Sequence, residues 1–164
     1  MSSITQIVLV LASAVVLPAC HQVTGQASTF NVADPARSNQ LLYGFYGVEA
    51  KPSRWTARKF SFMLKPPVGA VAKGGKLWMR LFVPDLQIHK IGPMTLAASI
   101  DGYSLSSQEF TQGGMYVYTA QIPAELLDTN LVPVRCEFDR AAPPSGGDSR
   151  ELGAVVTEVG LREN

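Results

Sequence analysis

This chain of 164 residues has only two histidines and two cysteines, and its positive and negative charges nearly balance. Its 14 lysines and arginines stand against 13 aspartates and glutamates, whereas a nucleic-acid-binding domain normally shows a basic excess on one face. Beyond residue 21 the only histidine is His89, which leaves zinc catalysis and a Ser-His-Asp triad poorly supported. The sequence therefore predicts a protein with no metal or cofactor that does not bind nucleic acid.

Recognisable catalytic motifs are also missing. The chain contains no H-E-x-x-H, G-x-S-x-G, Walker A, G-x-G-x-x-G or C-x-x-C pattern, and each of these patterns marks a specific chemistry. No pair of acidic residues stands out as the two carboxylates of a glycoside hydrolase. Asp148 and Glu151 lack the spaced acidic ladder of a calcium loop. We therefore expect a protein that is not an enzyme.

The longest apolar run covers residues 7–17 and has only one polar member, Ser13. It is shorter than the ~20 residues of a membrane-spanning helix, and its length is typical of the hydrophobic region of a signal peptide. No lysine or arginine precedes it, so a buried N-terminal strand or helix is the alternative. We expect residues 1–19 to be a signal peptide and the protein to be exported.

Two cleavage sites are compatible with this signal. The segment Leu17-Pro18-Ala19-Cys20 resembles the bacterial lipoprotein box, which implies a lipidated Cys20 and anchoring to a membrane of the cell envelope. Alternatively, Gly25 and Ala27 are small residues suited to an ordinary cleavage after Ala27, which would give a periplasmic or extracellular protein. In both cases the polar residues 20–40 are interpreted as a flexible tether, and residues 41–164 as the folded domain.

From about residue 41 onward, short alternating apolar segments are separated by turn signals. Asp101-Gly102 is the strongest hairpin signal of the chain. No window supplies the long helices that parallel strands need. The pattern predicts an all-β domain, a single antiparallel β-sandwich of jelly-roll type. Cys136 is in phase with apolar neighbours at 132, 134 and 138, so we expect it to be buried.

Several aromatic and cationic residues could either pack in this domain or contact a ligand. Trp78 and Arg80 share a strand face with Phe82, and such a face could stack on sugar rings. Seven residues form the candidate ligand-binding set: Arg54, Trp55, Arg58, Trp78, Arg80, Tyr116 and Tyr118. For each of them, packing or charge-assisted bonding within the fold is the competing interpretation.

Three segments taken together carry a family resemblance. In chain order they are Gly44-Phe45-Tyr46-Gly47-Val48-Glu49 with Arg54-Trp55-Thr56, the apolar strand at residues 77–83, and Asp148-x-Arg150-Glu151-Leu152-Gly153. This order resembles a small β-sandwich module of bacterial surface-polysaccharide proteins, often found beside glycosyltransferase or methyltransferase domains and also in uncharacterised exported proteins. The resemblance implies a jelly-roll-like sandwich associated with carbohydrate and brings no catalytic residues.

The sequence thus favours a non-catalytic binding module, secreted or held at the cell envelope, whose partner is a glycan. The alternative is a structural or accessory subunit that contacts an envelope protein and binds no small ligand. An exposed aromatic row with nearby charged groups would favour the glycan, and a continuous apolar patch would favour the protein partner.

Overall fold

Antiparallel strand pairing organises most of the chain. The computed structural model describes residues 25–49 and 52–164. The ten strands of this part are β1 Thr29–Asn31, β2 Leu41–Val48, β3 Arg54–Leu64, β4 Gly75–Val83, β5 Met94–Ile100, β6 Tyr103–Ser104, β7 Gln108–Phe110, β8 Gly114–Ile122, β9 Val132–Phe138 and β10 Val155–Glu163. The helices are α1 Ala70–Lys73 and α2 Asp85–Ile91, with 3-10 turns at Pro35–Gln40 and Ala124–Leu126.

One curled sheet provides both layers of the sandwich. The strands are paired in the order β6-β5-β9-β3-β10-β4-β8, while β2 lies beside β3, β1 beside β10 and β7 beside β5. Strand β3 joins the layers, because Arg54 and Trp55 pair with β10 whereas residues 59–64 pair with β9. We call β2, β3, β9, β5, β6 and β7 the front layer, and β1, β10, β4 and β8 the back layer. The predicted all-β antiparallel sandwich is confirmed.

The core lies between the two layers and follows the strand alternation. Alternate residues of β4 are fully buried, and so are those of the C-terminal half of β3. These residues are Phe60, Phe62, Leu64, Leu77, Met79, Leu81 and Val83. Burying one such side chain contributes about 1.5–3 kcal/mol. Because successive side chains of a strand point to opposite faces, the residues between them belong to the outer faces of the sandwich.

The N-terminal segment differs from the expected tether. Phe30 is 5% exposed and Val32 is fully buried, because β1 pairs with β10 and adds to the core. The buried amide of Gln40 accepts a hydrogen bond from the backbone N–H of Ala27 and donates to the carbonyls of Ala27 and Met63. Residues 25–40 are polar in composition, but Phe30 and Val32 are buried in the core and the buried amide of Gln40 is hydrogen-bonded to the backbone. Residues 20–24 lie outside the described part of the chain.

The Asp101-Gly102 hairpin is confirmed. Both residues have positive φ, 47° and 84°, as a two-residue turn between twisted strands requires. The turn pairs Ile100 with Tyr103 and places Ser104 opposite Ser99. The outer face of the front layer therefore extends across β6.

The short helices occupy loops between strands. Pro84 follows β4, since proline has no N–H to donate to a strand ladder, and α2 begins directly after it. The sequence pattern did not indicate α2, because seven residues are too few to establish a helical period. No helix of residues 25–49 and 52–164 is long and apolar enough to cross a membrane.

Candidate binding groove on the front layer

A row of side chains crosses the outer face of the front layer. Strand register places Tyr43 opposite Ser61, Ser61 opposite Arg135, and Arg135 opposite Ser99. Ser99 in turn lies opposite Ser104. Five strands thus contribute one residue each to a single line, with an aromatic ring at one end, a guanidinium in the middle and hydroxyls at the other end.

The direction of Tyr43 depends on Gly44. In a regular strand Tyr43 and Phe45 would share a face, but the β2–β3 register shifts between them. Gly44 has a φ of 75°, a conformation that a residue without a side chain adopts at little cost. As a result Phe45 packs edge-on against the core ring of Phe60, with centroids 5.4 Å apart, while Tyr43 faces outward and is 48% exposed.

A groove of about 360 Å³ lies along this row. Tyr43 and Leu105 contribute to its walls, and the small side chains of Ala97, Ser99 and Ser104 give it depth. Its volume is within the range of small-ligand sites. The groove is open to solvent along the row, so an elongated ligand could enter from the side.

The charged groups of the groove are unequally paired. Lys59 lies opposite Glu137, with its Nζ 3.3 Å from the carboxylate, and Arg58 Nη1 is 3.0 Å from the other oxygen of Glu137. Arg135 is exposed and has no ion-pair partner in residues 25–49 and 52–164. The hydroxyls of Ser99 and Ser104 make no hydrogen bond to any other described residue. The groove therefore offers one uncompensated cation and two available hydroxyls.

Cys136 lies beneath this groove and faces the core. It is 2% exposed, which confirms its predicted burial. Burial raises the pKa of the Cys136 thiol above its usual range, because a thiolate would lose its hydration there. The thiol is therefore neutral, and it is no nucleophile for a ligand in the groove.

Trp78 and Arg80 occupy the outer face of the back layer. The indole of Trp78 lies against Gly160, where a Cβ atom would be 2.5 Å from its Cε2 and Nε1. The guanidinium of Arg80 is 5.8 Å from the centre of that ring and 3.6 Å from the carboxylate of Glu158. Phe82 continues the same face and is 38% exposed. Trp78 is thus covered on one side by the sheet backbone and approached by a cation.

The candidate pair Tyr116 and Tyr118 faces the interior instead of a ligand. Tyr118 is fully buried, and its hydroxyl donates to the carbonyl of Ser106 at 2.6 Å. Tyr116 is half-buried, packs edge-on against Phe110 and donates to the carbonyl of Gln112. The reason is phase: even-numbered residues of β8 face the core, as the burial of positions 118, 120 and 122 shows. Burial and the nearby Cys136 raise the pKa of Tyr118.

The remaining candidates hold the strands together at one end of the sandwich. Arg54 donates from Nε to the carbonyl of Val32 at 2.7 Å and from Nη1 to that of Tyr46 at 2.9 Å. Trp55 is half-buried and lines a separate pocket of about 220 Å³ beside α2. Arg58 reaches the edge of the groove through Glu137. None of the three belongs to the row itself.

Arg150 links two of the segments that carry the family resemblance. It donates to both oxygens of Asp148, with the shortest contact 2.8 Å, and to Glu49 at 2.7 Å. Its guanidinium lies 5.2 Å from the ring centre of Tyr46, whose hydroxyl donates to the carbonyl of Glu151. The side-chain and backbone hydrogen bonds from Arg150 lower the pKa of Asp148 to about 2. These bonds join β2 to the loop before β10, and we call the group formed by Arg150, Asp148 and Glu49 the clasp.

Backbone hydrogen bonds also join the loop before β10 to β3. Thr56 N–H donates to the carbonyl of Ala154 at 2.8 Å, and Gly153 N–H donates to that of Thr56 at 2.7 Å. A Cβ at Gly153 would lie 2.7 Å from the carbonyl oxygen of Ala57, so only glycine fits this approach.

In the described part of the chain no three His, Cys, Asp or Glu side chains could hold a metal ion.

Comparison with known proteins gives weak likenesses only. No family model and no curated protein matches this chain. The CBM36-1 domain of a multidomain xylanase from the hindgut metagenome of Trinervitermes trinervoides is 11% identical, with 62% of this chain and 69% of that chain covered and a TM-score of 0.36. TmCBM61 in complex with β-1,4-galactotriose is 14% identical, with 68% and 69% covered and a TM-score of 0.35. A CBM4 structure is 10% identical, with 83% and 85% covered and a TM-score of 0.37.

Sequence reasoning missed the residues that line the groove. Arg135 and Glu137 lie between core positions of β9, and Lys59 directly precedes the core residue Phe60, so strand alternation alone predicts that all three face outward. Their convergence with Tyr43 depends on which strands are neighbours. That information lies in the pairing of β2, β3, β9 and β5, which the sequence did not provide.

Proposed function

We propose that this domain is a non-catalytic glycan-binding module whose binding site is the front-layer groove. The observation that carries the proposal is the row from Tyr43 through Arg135 to Ser104. A sugar ring has an apolar C–H face that stacks on an aromatic side chain and a rim of hydroxyls that needs donors and acceptors. The row supplies the half-exposed ring of Tyr43 and, along the same line, both kinds of polar group.

The groove is better suited to binding than to hydrolysis. Cleavage of a glycosidic bond normally uses two carboxyl groups on opposite sides of the bond. Glu137 is the one carboxylate among the described residues that line the groove, and its two oxygens are engaged by Arg58 and Lys59. It can accept a hydrogen bond from a sugar hydroxyl, but it has no partner for acid–base chemistry.

The test is a glycan array followed by titration calorimetry on the purified protein and two variants. Tyr43→Ala removes the stacking ring, and we expect affinity to fall by up to about tenfold, since an aromatic contact contributes about 0.5–1.5 kcal/mol beyond its buried area. The matched control is Arg162→Ala, which removes an exposed cation of β10 on the back layer. Unchanged affinity for Tyr43→Ala, or an equal loss for both variants, would exclude the groove as the site.

A second candidate function is contact with an envelope protein through the back layer. Phe82, Met115 and Val117 are 38%, 66% and 53% exposed, and strand register places Phe82 between Met115 and Val155. Adjacent exposed apolar side chains on one sheet face are typical of interaction surfaces. A photo-crosslinker at Val117 should then give one discrete protein adduct in the producing cells, and the same group at Thr119 should give less of it.

We further propose that residues 1–19 direct export and that Cys20 is the acylated first residue of the mature protein; both lie outside the described residues. The contacts of Ala27 support this choice of cleavage site. Its carbonyl accepts from Lys65 N–H at 3.0 Å as well as from Gln40, and cleavage after Ala27 would remove these bonds. Mass spectrometry of the exported protein should show a lipidated Cys20. An N-terminus at Ser28 would reject acylation, and an intact Met1 would reject export.

A further inference from the structure

Arg135 is the one groove cation whose charge the fold leaves uncompensated. Arg58 and Lys59 each approach the carboxylate of Glu137, and Arg58 is also 3.7 Å from Glu151. Arg135 has no carboxylate within ion-pair distance in residues 25–49 and 52–164. Arg54 donates to two backbone carbonyls and Arg150 to two carboxylates, whereas Arg135 has no such partner among the described residues.

The surroundings of Arg135 leave its guanidinium available to a ligand. Its cross-strand neighbours are Ser61 on one side and Ser99 on the other, both short and uncharged. Ser61 is buried and its hydroxyl donates inward to the carbonyl of Val134 at 2.8 Å, so it does not compete for the guanidinium. Arg135 therefore stands at the centre of the groove with free space above the small side chains of β5.

The distance along the row suits a chain of sugars better than one sugar. Tyr43 and Arg135 are separated by two strand spacings of about 4.8 Å each, and Arg135 and Ser104 by two more. A ring stacked on Tyr43 and a charged group on Arg135 would then belong to different units of one oligosaccharide. The hydroxyls of Ser99 and Ser104 lie at the continuation of that path.

We propose that the groove selects an acidic glycan, with an anionic group of the glycan bound by Arg135 while another sugar of the same chain stacks on Tyr43. This inference rests on the proposed function. A guanidinium presents a planar pair of donors that fits two oxygens of a carboxylate or a sulfate ester. A neutral sugar would leave the charge of Arg135 unmatched, whereas a uronic acid or a sulfated sugar would neutralise it.

The experiment compares pairs of ligands that share one backbone and differ in charge. Oligogalacturonides are paired with their methyl esters, and sulfated galactan oligosaccharides with unsulfated ones. Each is titrated against the full protein after an array of neutral and acidic glycans has been screened. We expect an acidic form to bind at least about tenfold more tightly than its neutral counterpart, the effect of a charge-assisted hydrogen bond. Affinity should fall as salt is raised.

Two variants separate this inference from the proposed function. Arg135→Gln should abolish the preference for the acidic form but keep the weaker binding of the neutral form, whereas Tyr43→Ala should weaken both forms. The matched control Arg162→Gln removes one exposed cation from β10 in the back layer and should leave the preference intact. A preference for sulfate over carboxylate would still support the inference and would identify the anion.

Three results would overturn it. Equal binding of neutral and acidic forms, with sensitivity to Tyr43→Ala, would refute acidic selection and leave the glycan-binding proposal standing. An equal loss of the preference in Arg162→Gln and Arg135→Gln would show attraction by net charge alone. Absence of binding to every glycan of the array would refute both proposals together.

Discussion

Replacing Phe30 by alanine tests whether the N-terminal segment belongs to the folded domain. Phe30 is 5% exposed in β1, and this strand pairs with β10 at Val159. Removing a buried phenylalanine side chain costs about 3–5 kcal/mol from lost transfer free energy and the cavity left behind. Since domains of this size are stable by roughly 5–15 kcal/mol, the variant should lose a large part of its stability. We expect its melting temperature to fall by roughly 6–20 °C.

The assay is urea unfolding followed by tryptophan fluorescence, together with a thermal scan of the same samples. Thr29→Ala is the matched control, because Thr29 precedes Phe30 in β1 and is exposed. Its free energy of unfolding should change by less than about 0.5 kcal/mol, as is usual at the surface. If Phe30→Ala and wild type unfold at the same urea concentration, the side chain of Phe30 contributes nothing to stability and the assignment of β1 to the core is refuted.

Two further predictions concern titratable groups. The folded-state pKa of Asp148 is lowered to about 2, below the ~4 of an unfolded chain, so its contribution to stability is present above about pH 4 and is lost as the pH falls through 2. The urea concentration at the unfolding midpoint, measured from pH 7 to pH 2, should therefore drop less in Asp148→Asn than in wild type. Parallel curves for the two proteins would show that the clasp is not a source of acid sensitivity. Cys136, being buried with a raised pKa, should react slowly with a thiol reagent in native protein and rapidly in denaturant, and fast native labelling would contradict its place in the core.

The strands were predictable wherever one face is buried and the other is not. The apolar positions of β4 and β9 repeat with period two, and the structure buries them. The same alternation gave the burial of Cys136 and the shared strand face of Trp78, Arg80 and Phe82. The same rule could have predicted that Tyr118 faces inward, since Ala120 and Ile122 lie on its face of β8. It was interpreted as a candidate ligand contact because it is aromatic.

Two kinds of feature could not be obtained from the sequence. The first is a polar segment held by a few contacts: Gln40 is fully buried because its amide satisfies the backbone of Ala27 and Met63, and composition alone indicates a tether. The second is the order of strands across the sheet. The groove arises because β9 lies between β3 and β5, which brings residues 61, 135 and 99 side by side although long stretches of chain separate them.

Gly44 connects the fold to the proposed site, and its replacement gives the sharpest test of that connection. Its φ of 75° is costly for any residue with a side chain, about 1–2 kcal/mol. An alanine Cβ would also be 2.7 Å from the Cα of Phe60 and would overlap the carbonyl oxygen of Lys59. To relieve this, β2 would have to move away from β3, and Tyr43 would leave the wall of the groove. Gly44→Ala should therefore lower both the free energy of unfolding and the affinity for glycan.

Gly47→Ala provides the matched control for Gly44→Ala, because both glycines lie in β2. A Cβ at Gly47 would meet no atom within 4 Å, and its φ is not in the left-handed region. This variant should fold and bind like wild type, which calorimetry and urea unfolding on the two proteins can establish side by side. If Gly44→Ala is as stable as Gly47→Ala, the change of face between Tyr43 and Phe45 does not require a glycine at position 44. If Gly44→Ala is destabilised but binds glycan with full affinity, Tyr43 is not held in the groove by this turn of the strand, and the geometric basis of the proposed site is wrong.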